Sequence, residues 1–250
     1  MGKIAGIDLG TTFSAISILN DNGKPEIVKN FEGGYLTPSV VGFPSDREGT
    51  SLVGEEAIQL LEIEPDRVIA EVKRDMGDNE KEYHIAGKEF TPVGISSLIL
   101  KKLVQDAEKQ HGSLDTVVVT VPANFAESAR QATKKAVIEA GINFQNIIDE
   151  PTAAALHYAF SNTLAGKIMI YDFGGGTFDI TIADVSGKEI RVLTSQGDQH
   201  LGGTDIDRII LEKIKEAYKK EKNADLINEQ NERNEIHYML QAEKIKKNLT

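Results

Sequence analysis

Cysteine is absent from the 250 residues, which excludes disulfides, thiolate metal centres and a cysteine nucleophile, and makes a reducing cytoplasm the expected setting. No apolar run reaches membrane length. Met1 is followed within a few residues by a strand-like segment rather than by a basic and then apolar leader, so neither export nor a membrane span is expected. Basic residues are few: Lys+Arg total 28 against 39 Asp+Glu, and the net charge of -11 argues against nonspecific binding to nucleic acid or acidic membranes. No Gly-x-x-x-x-Gly-Lys-Ser/Thr loop occurs, and no Gly-x-Gly-x-x-Gly follows the first strand. P-loop and dinucleotide-binding folds therefore lose their main support. What remains, 40% apolar and 27% charged residues, is the composition of an ordinary globular domain, long enough for two lobes.

Two strand-like runs, Lys3 to Leu9 and Phe13 to Leu19, flank a Gly-Thr-Thr turn and predict a β-hairpin. Another short strand is expected at Pro25 to Asn30. Turn residues are frequent from Gly33 to Gly54, which places a small peripheral lobe over residues 39–90. Apolar spacing predicts a helix from Pro92 to Gln110 that stops at His111-Gly112. A fully buried strand is expected at Thr116 to Val121, a helix at Ala126 to Ala140, a short strand at Asn146 to Asp149, and a helix from Pro151 to Phe160 with proline in its first turn.

After Gly166 the hairpin grammar returns: Ile168 to Phe173, a glycine loop, Thr177 to Val185 and Glu189 to Ser195. Asp8-Leu9-Gly10-Thr11-Thr12 and Asp172-Phe173-Gly174-Gly175-Gly176-Thr177 share strand, aspartate, glycine turn and threonine. The chain reads as a duplication whose two loops face each other across a cleft. From Asp205 to the end the sequence is charged and helical, including Glu212 to Lys222 and Glu232 to Leu249. The domain expectation is a first-lobe core over 1–38 and 91–165, the small subdomain over 39–90, a second-lobe core over 166–207, and the helical start of a further subdomain over 208–250.

Glycine loops let backbone N–H groups approach a phosphate, and threonine hydroxyls add donors. An aspartate beside such a loop would repel phosphate unless a divalent cation intervened, so Asp8 and Asp172 predict Mg²⁺ held through water, with a nucleotide as ligand. Either loop alone could be a glycine hairpin with a capping aspartate; the pair argues for the ligand. A third glycine pair, Gly202-Gly203, precedes a helix, where it could take phosphate or could be an ordinary loop with Thr204 as cap.

These loops, together with Thr37-Pro38-Ser39, Val72-Lys73-Arg74, Val119-Thr120-Val121-Pro122-Ala123, Arg130-Gln131-Ala132-Thr133 and Glu150-Pro151-Thr152-Ala153-Ala154-Ala155-Leu156, resemble the ATPase domain of the 70-kDa heat-shock, DnaK-like chaperones. The resemblance implies an α/β fold of the actin-like, ribonuclease H-like kind, two lobes around a nucleotide cleft that binds ATP or ADP with Mg²⁺. It implies that Asp8, Asp172 and Asp179 hold hydrated Mg²⁺. Gly10, Thr11, Thr12, Phe13, Gly174, Gly175, Gly176, Thr177, Gly202 and Gly203 would meet the nucleotide, and Lys73, Glu150, Asp172 and Thr177 would serve hydrolysis. On the last helix Glu243, Lys246, Lys247 and Thr250 share one face that in the family touches adenosine. Pro122 and Arg130 match residues that pass nucleotide state onward.

Local chemistry offers a plainer reading of several of these. Lys73 could be a solvated lysine, Glu150 a charge on a helix dipole, Pro122 the end of a strand, Arg130 an exposed helical cation and the Glu243 face the polar side of an amphipathic helix. The implied function is the ATPase module of a chaperone. Its partners would be unfolded peptides, a J-domain co-chaperone and a nucleotide-exchange factor. An actin-like partitioning ATPase and a noncatalytic nucleotide-responsive scaffold are the alternatives. The family's second adenosine loop, Gly-Gly-x-x-Arg, has no counterpart, and the sequence ends on Thr250 within a helical pattern. A chain truncated on its carboxy-terminal side, with an incomplete second lobe, is the expectation.

Overall fold

The computed structural model describes residues 3–20, 22–161, 165–187, 189–227 and 234–249, so Thr250 lies outside the described residues. The chain opens with the expected hairpin, β1 (Lys3–Asp8) and β2 (Phe13–Leu19). Ala5 and Ile7 on one strand and Ile16 and Ile18 on the other turn into the core, the period of a strand with one buried face. β3 (Pro25–Ile27) continues the antiparallel pairing but stops short of Asn30. The Asn30 side chain accepts from Gly34 N–H at 2.6 Å and donates to the Leu36 carbonyl at 3.0 Å, so it closes a turn where a strand was expected. β4 (Thr37–Pro38) then pairs with the start of β2.

Residues 39–90 hold the short strands β5 (Val41–Gly42) and β6 (Leu52–Val53), helix α1 (Glu55–Leu61), strand β7 (Val68–Ile69) and the hairpin of β8 (Tyr83–Ile85) and β9 (Lys88–Phe90). The turn-rich sequence gives no sign of α1. It buries Ala57, Leu60 and Leu61 in a satellite cluster with Val40 and Leu52. Val41, Val53, Ile69, Val72 and Ile85 join the main core beside Ile7 and Ile99.

Helix α2 (Pro92–His111) matches its predicted limits. Thr91 caps it by accepting from Gly94 N–H at 3.1 Å, Pro92 occupies the first turn, and Gly112 ends it with φ at 80°. Ile95, Ile99, Leu100 and Leu103 are buried, each a contribution of about 1.5–3 kcal/mol. β10 (Leu114–Val121) runs parallel to β1. It is not buried on both faces as expected: Val117, Val119 and Val121 are buried, whereas Thr116, Val118 and Thr120 are only partly covered. One face meets α2 and α3 (Glu127–Glu139); on the other, Thr120 lines the cleft cavity. β11 (Phe144–Asp149) adds a second parallel strand and completes the order β11-β10-β1-β2-β3.

After α4 (Glu150–Ser161) the hairpin is repeated as β12 (Ala165–Phe173), β13 (Phe178–Ser186) and β14 (Glu189–Asp198), all antiparallel. Asp172 lies opposite Asp179 across β12–β13 just as Asp8 lies opposite Ala15 across β1–β2. The duplication is therefore one of register as well as of sequence. Helices α5 (Gly203–Lys222) and α6 (Asn234–Leu249) follow. α5 starts at Gly203, two residues before the helical stretch expected from Asp205, and its first turn is capped by the Asp205 carboxylate, which accepts from Gly202 N–H at 2.7 Å; Thr204 is not the cap.

Candidate functional site

The three glycine loops interlock. Gly10 donates to Ser14 Oγ at 3.2 Å, and Ser14 meets Ser39 at 2.8 Å, which ties the first loop to the start of the small region. In the second loop Gly174 N–H donates to the Thr177 carbonyl at 2.9 Å. Gly203 N–H donates to the Gly174 carbonyl at 3.0 Å, and Thr204 donates to the Gly175 carbonyl from its N–H at 2.9 Å and from its hydroxyl at 2.7 Å. Glycine is required by proximity at these contacts. A Cβ on Gly175 would stand 1.8 Å from Thr12 Oγ1, and one on Gly176 would stand 2.4 Å from Thr11 Cγ2. The first and second loops thus meet directly at Thr12 with Gly175 and at Thr11 with Gly176, closer than the facing arrangement across a cleft that the duplication suggests.

Between them lies a cavity of about 400 Å³ that Asp8, Thr11, Thr12, Lys73, Glu150, Asp172 and Thr177 help to line. Lys73 comes from a 3-10 turn, Val72–Asp75, and is buried, with Nζ 2.6 Å from Glu150 Oε1. It is not the solvated lysine of the plainer reading. Burial alone would lower its pKa, but Glu150, Asp8 and Asp172 outweigh that cost and hold it above the ordinary 10.5. Lys73 is therefore charged. Glu150 opens α4, as the dipole reading required, and also pairs with Lys73. Burial, then the charges of Asp8 and Asp172, push its carboxyl above the ordinary 4.5 against the pull of Lys73.

Asp172 and Asp179 are also pushed above the ordinary 3.8, by burial first and then by Asp8 and Asp172 respectively. Asp179 is buried, and its Oδ1 has no hydrogen-bond partner; the buried Thr12 Oγ1 is in the same condition. Unpaired buried oxygens beside mutually repelling carboxylates suit a cation and a polar ligand. Among the described residues no three acidic or histidine side chains converge tightly enough to hold a bare ion. Asp8, Asp172 and Asp179 fit a hydrated Mg²⁺, reached through water.

A second, larger cavity of about 870 Å³ opens beside the first and shares Thr11, Thr12 and Phe13 with it. Both cavities carry charged side chains; the buried Lys73 and the carboxylates of Asp8, Glu150 and Asp172 belong to the smaller one. The larger one is walled by α1 on one side and by α5 and α6 on the other, and Glu243 and Asp207 lie in its lining. Lys246 donates to the Gly203 carbonyl at 2.8 Å and to Asp207 Oδ2 at 2.7 Å. Lys247 pairs with Glu243 at 2.8 Å and stands 5.9 Å over the Phe13 ring. The structure therefore brings Glu243, Lys246 and Lys247 to the mouth of the cleft, next to Gly203 and Phe13.

Arg130 is a correction to the plainer reading. It is no free helical cation: its guanidinium donates to Asp149 Oδ1 at 2.6 Å and to the carbonyls of Ala123 at 3.1 Å, Phe125 at 3.3 Å and Pro122 at 3.5 Å. Helical periodicity cannot show this, because the partners come from two other segments. Thr120 is likewise placed by the fold, donating to Asp8 Oδ1 at 3.0 Å. Arg74, which the Val72-Lys73-Arg74 motif includes without assigning it a task, donates to both carboxylate oxygens of Asp205, to Thr204 Oγ1 and to the Gly176 carbonyl.

Comparison with known proteins agrees with this geometry. The family model described as "Hsp70 protein" matches residues 4–85 and 78–250. A chaperone protein DnaK from Thermotoga neapolitana is 44% identical over 227 residues, which is 89% of this chain and 37% of that protein. The chain thus spans well under half the length of the curated relative it matches.

Proposed function

Because this chain belongs to the Hsp70 family, we propose that it binds ATP and Mg²⁺ between its two hairpins and hydrolyses ATP as the nucleotide module of a chaperone. The observation that carries the proposal is Lys73, a buried, charged lysine set where two duplicated aspartate-glycine-threonine loops face each other. Phosphoryl transfer depends mainly on positioning and on electrostatic stabilisation. The glycine loops bring N–H groups and threonine hydroxyls to the phosphates, and Lys73 places its positive charge at the terminal one. Glu150, held 2.6 Å from Lys73, is positioned to orient the attacking water and accept its proton. Mg²⁺, held by Asp8, Asp172 and Asp179 through water, supplies further neutralisation of phosphate charge when bound. Phe13, Glu243, Lys246 and Lys247 are assigned to the nucleoside side of the cleft.

The direct test is phosphate release from ATP by the purified chain. Slow release that a chelator stops is expected; release no faster than from a heat-inactivated control would overturn the assignment of ATPase activity.

The raised carboxyls add a linkage prediction. With folded-state pKa values above the unfolded ones, Glu150, Asp172 and Asp179 bind more protons in the folded chain, so their repulsion subtracts stability as pH rises through and above the ordinary carboxylate range. A cation among them offsets that loss. The rise in Tm that Mg²⁺ adds to ADP, measured against ADP with chelator, should be larger at about pH 7.5 than at about pH 5. Equal increments would remove these aspartates from the Mg²⁺ site.

In a protein of the relative's length we further propose that nucleotide state governs binding of unfolded peptides, with a J-domain co-chaperone and a nucleotide-exchange factor as partners, in the cytoplasm. Arg130 supports a relay role for that end of the cleft, since it joins the Pro122 carbonyl to Asp149, the neighbour of Glu150.

A further inference from the structure

The 3-10 turn that carries Lys73, Val72–Asp75, is four residues long. Arg74 N–H donates to the Glu71 carbonyl at 3.0 Å and Met76 N–H to the Lys73 carbonyl at 3.3 Å. A single turn of this kind has little stability of its own, so the direction in which Lys73 points depends on what holds the ends of the turn. On the side of its own lobe it is held by the residues that close it. Asp75, the last of the turn, accepts from the Tyr83 hydroxyl at 2.5 Å. Met76 is buried in the main core, where the Ser96 hydroxyl donates to its Sδ at 3.4 Å. Gly77, with φ at 94°, lies so close to the first turn of α3 that a Cβ there would stand 2.7 Å from Ala129 N.

Of these contacts the tyrosine bond is the directional one, a short hydrogen bond from a hydroxyl to a carboxylate. Its donor sits on a firm support. β8 and β9 are joined by Ala86 and Gly87, both at positive φ, 52° and 74°, the tight connection whose twist matches that of a hairpin. Ile85 is buried in the main core, the Tyr83 ring packs against that core, and Phe90 stacks on Phe43 with ring centroids 4.3 Å apart. Burial, and then the hydrogen bond to Asp75, push the phenol above its ordinary 10, so it remains a donor. Phenylalanine would keep the packing of the ring; the hydroxyl adds the bond to Asp75. Lys81 Nζ stands 3.7 Å from the same Asp75 oxygen and 5.3 Å over the Tyr83 ring, on the exposed side.

We infer that Tyr83 is a positioning residue for the proposed ATP hydrolysis: through Asp75 it fixes the end of the lysine turn, and with it the aim of Lys73 at the gap between the phosphate loops. The inference rests on the assignment of the cleft to ATP. Tyr83 and Asp75 line neither cavity, so their effect on the nucleotide passes through Lys73. That makes the consequence selective. A small displacement of Lys73 degrades its alignment on the terminal phosphate, whereas the loop amides and threonines that would bind the nucleotide belong to other segments.

The test uses Tyr83→Phe, Asp75→Ala and the double variant, with Asp75→Asn and Lys81→Met as controls. Phosphate release at saturating ATP should fall about three- to tenfold in Tyr83→Phe and in Asp75→Ala, a modest part of what misplacement of a reacting group can cause, while the Kd for ADP stays within about twofold of the parent. The double variant should be no slower than the worse single one to within about twofold, the non-additivity of partners in one contact. Asp75→Asn keeps an oxygen that can accept from the hydroxyl and should recover most of the turnover lost in Asp75→Ala. Lys81→Met should change turnover by less than about twofold, since an exposed ion pair contributes little. Amide hydrogen exchange at residues 73–76 should quicken in Tyr83→Phe and Asp75→Ala and not in Asp75→Asn. Unchanged turnover in Tyr83→Phe, or equal losses in Asp75→Asn and Asp75→Ala, would overturn the inference. So would a loss of turnover matched by an equal loss of ADP affinity, which marks general damage. A parent chain that releases no phosphate would refute the ATPase assignment instead, and the exchange at residues 73–76 would then decide whether Tyr83 fixes the turn.

Discussion

Replacing Lys73 by alanine is expected to lower ATP turnover by about 10²–10³-fold, the loss typical when a preorganised charge at a transition state is removed, while ADP binding stays measurable. The reasoning starts from burial. A lysine almost never goes fully inside unless it is paired, and this one is paired with Glu150 and surrounded by Asp8 and Asp172. The charge is explained by what it faces, the gap between the two phosphate loops. Binding survives because the loop amides and threonines remain. Stability is a separate matter: removing one partner of a buried pair costs roughly 3–5 kcal/mol, because Glu150 is left without its counter-ion. The double variant Lys73→Met with Glu150→Gln should regain much of that stability and none of the turnover. Saturating-ATP phosphate release together with thermal unfolding separates the two effects. Turnover within tenfold of the parent in Lys73→Ala would remove this residue from the mechanism.

Gly202→Ala should cost the chain both stability and nucleotide affinity. A Cβ at this position would lie 2.5 Å from the carbonyl carbon and oxygen of Gly175 and 2.6 Å from Gly176 N. These are backbone atoms of the second phosphate loop and cannot rotate aside. The backbone at Gly202 is extended, with φ at -170°, so the penalty comes from crowding and not from conformation. Overpacking of this kind costs about 1–3 kcal/mol when the structure can shift and more when it cannot. A shift that relieves the clash displaces Gly175 and Gly176, which lie against Thr12 and Thr11, and so would misplace the donors proposed to meet the phosphates. Gly174→Ala is the informative comparison. Its nearest neighbour would be the Thr177 carbonyl oxygen at 3.4 Å, an ordinary contact. That variant should keep its Tm, and any loss of ADP affinity in it would report the approach of the ligand. Thermal unfolding and ADP titration of both variants provide the check. A Gly202→Ala chain that unfolds and binds ADP like the parent would show that the loops do not interlock as described.

What the sequence shows and what it conceals follow from the range of the interactions involved. α2 was legible at both ends because its signals are local: a threonine cap, a proline in the first turn and a glycine in the left-handed region after the last. The paired hairpins were legible because the duplication repeats strand, aspartate, glycine and threonine in the same order. α1 was not, because it has seven residues, no side-chain cap and a glycine before it, so turn chemistry masks its apolar face. The start of α5 was legible to within two residues of Asp205. Gly202 and Gly203 read as loop, whereas the helix begins on the second of them once Asp205 caps it. β10 carries a β-branched run that suggests burial on both faces, but its cleft side must stay open to line the site.

The candidate site divides the same way. Asp8, Thr11, Thr12, Asp172 and Thr177 could be proposed from their own neighbours in sequence. Lys73, Glu150, Arg74 and Asp205 could not, since each acquires its partner only when distant segments meet; resemblance to a family pointed to Lys73 and Glu150, and only the fold pointed to Arg74 with Asp205. Arg130 shows the converse error. Read from its own sequence it is an exposed helical cation, yet three carbonyls and Asp149 accept from it.

The central claim is that nucleotide is held by its phosphates between the two duplicated loops. Calorimetric titration of the chain with ATP, ADP, AMP and adenosine in the presence of Mg²⁺ tests it most directly. Strong binding of ATP and ADP, with a fall of at least about tenfold from ADP to AMP, which is about 1.4 kcal/mol, is the predicted result. Equal affinities for ADP, AMP and adenosine, or no binding of any of them, would contradict it.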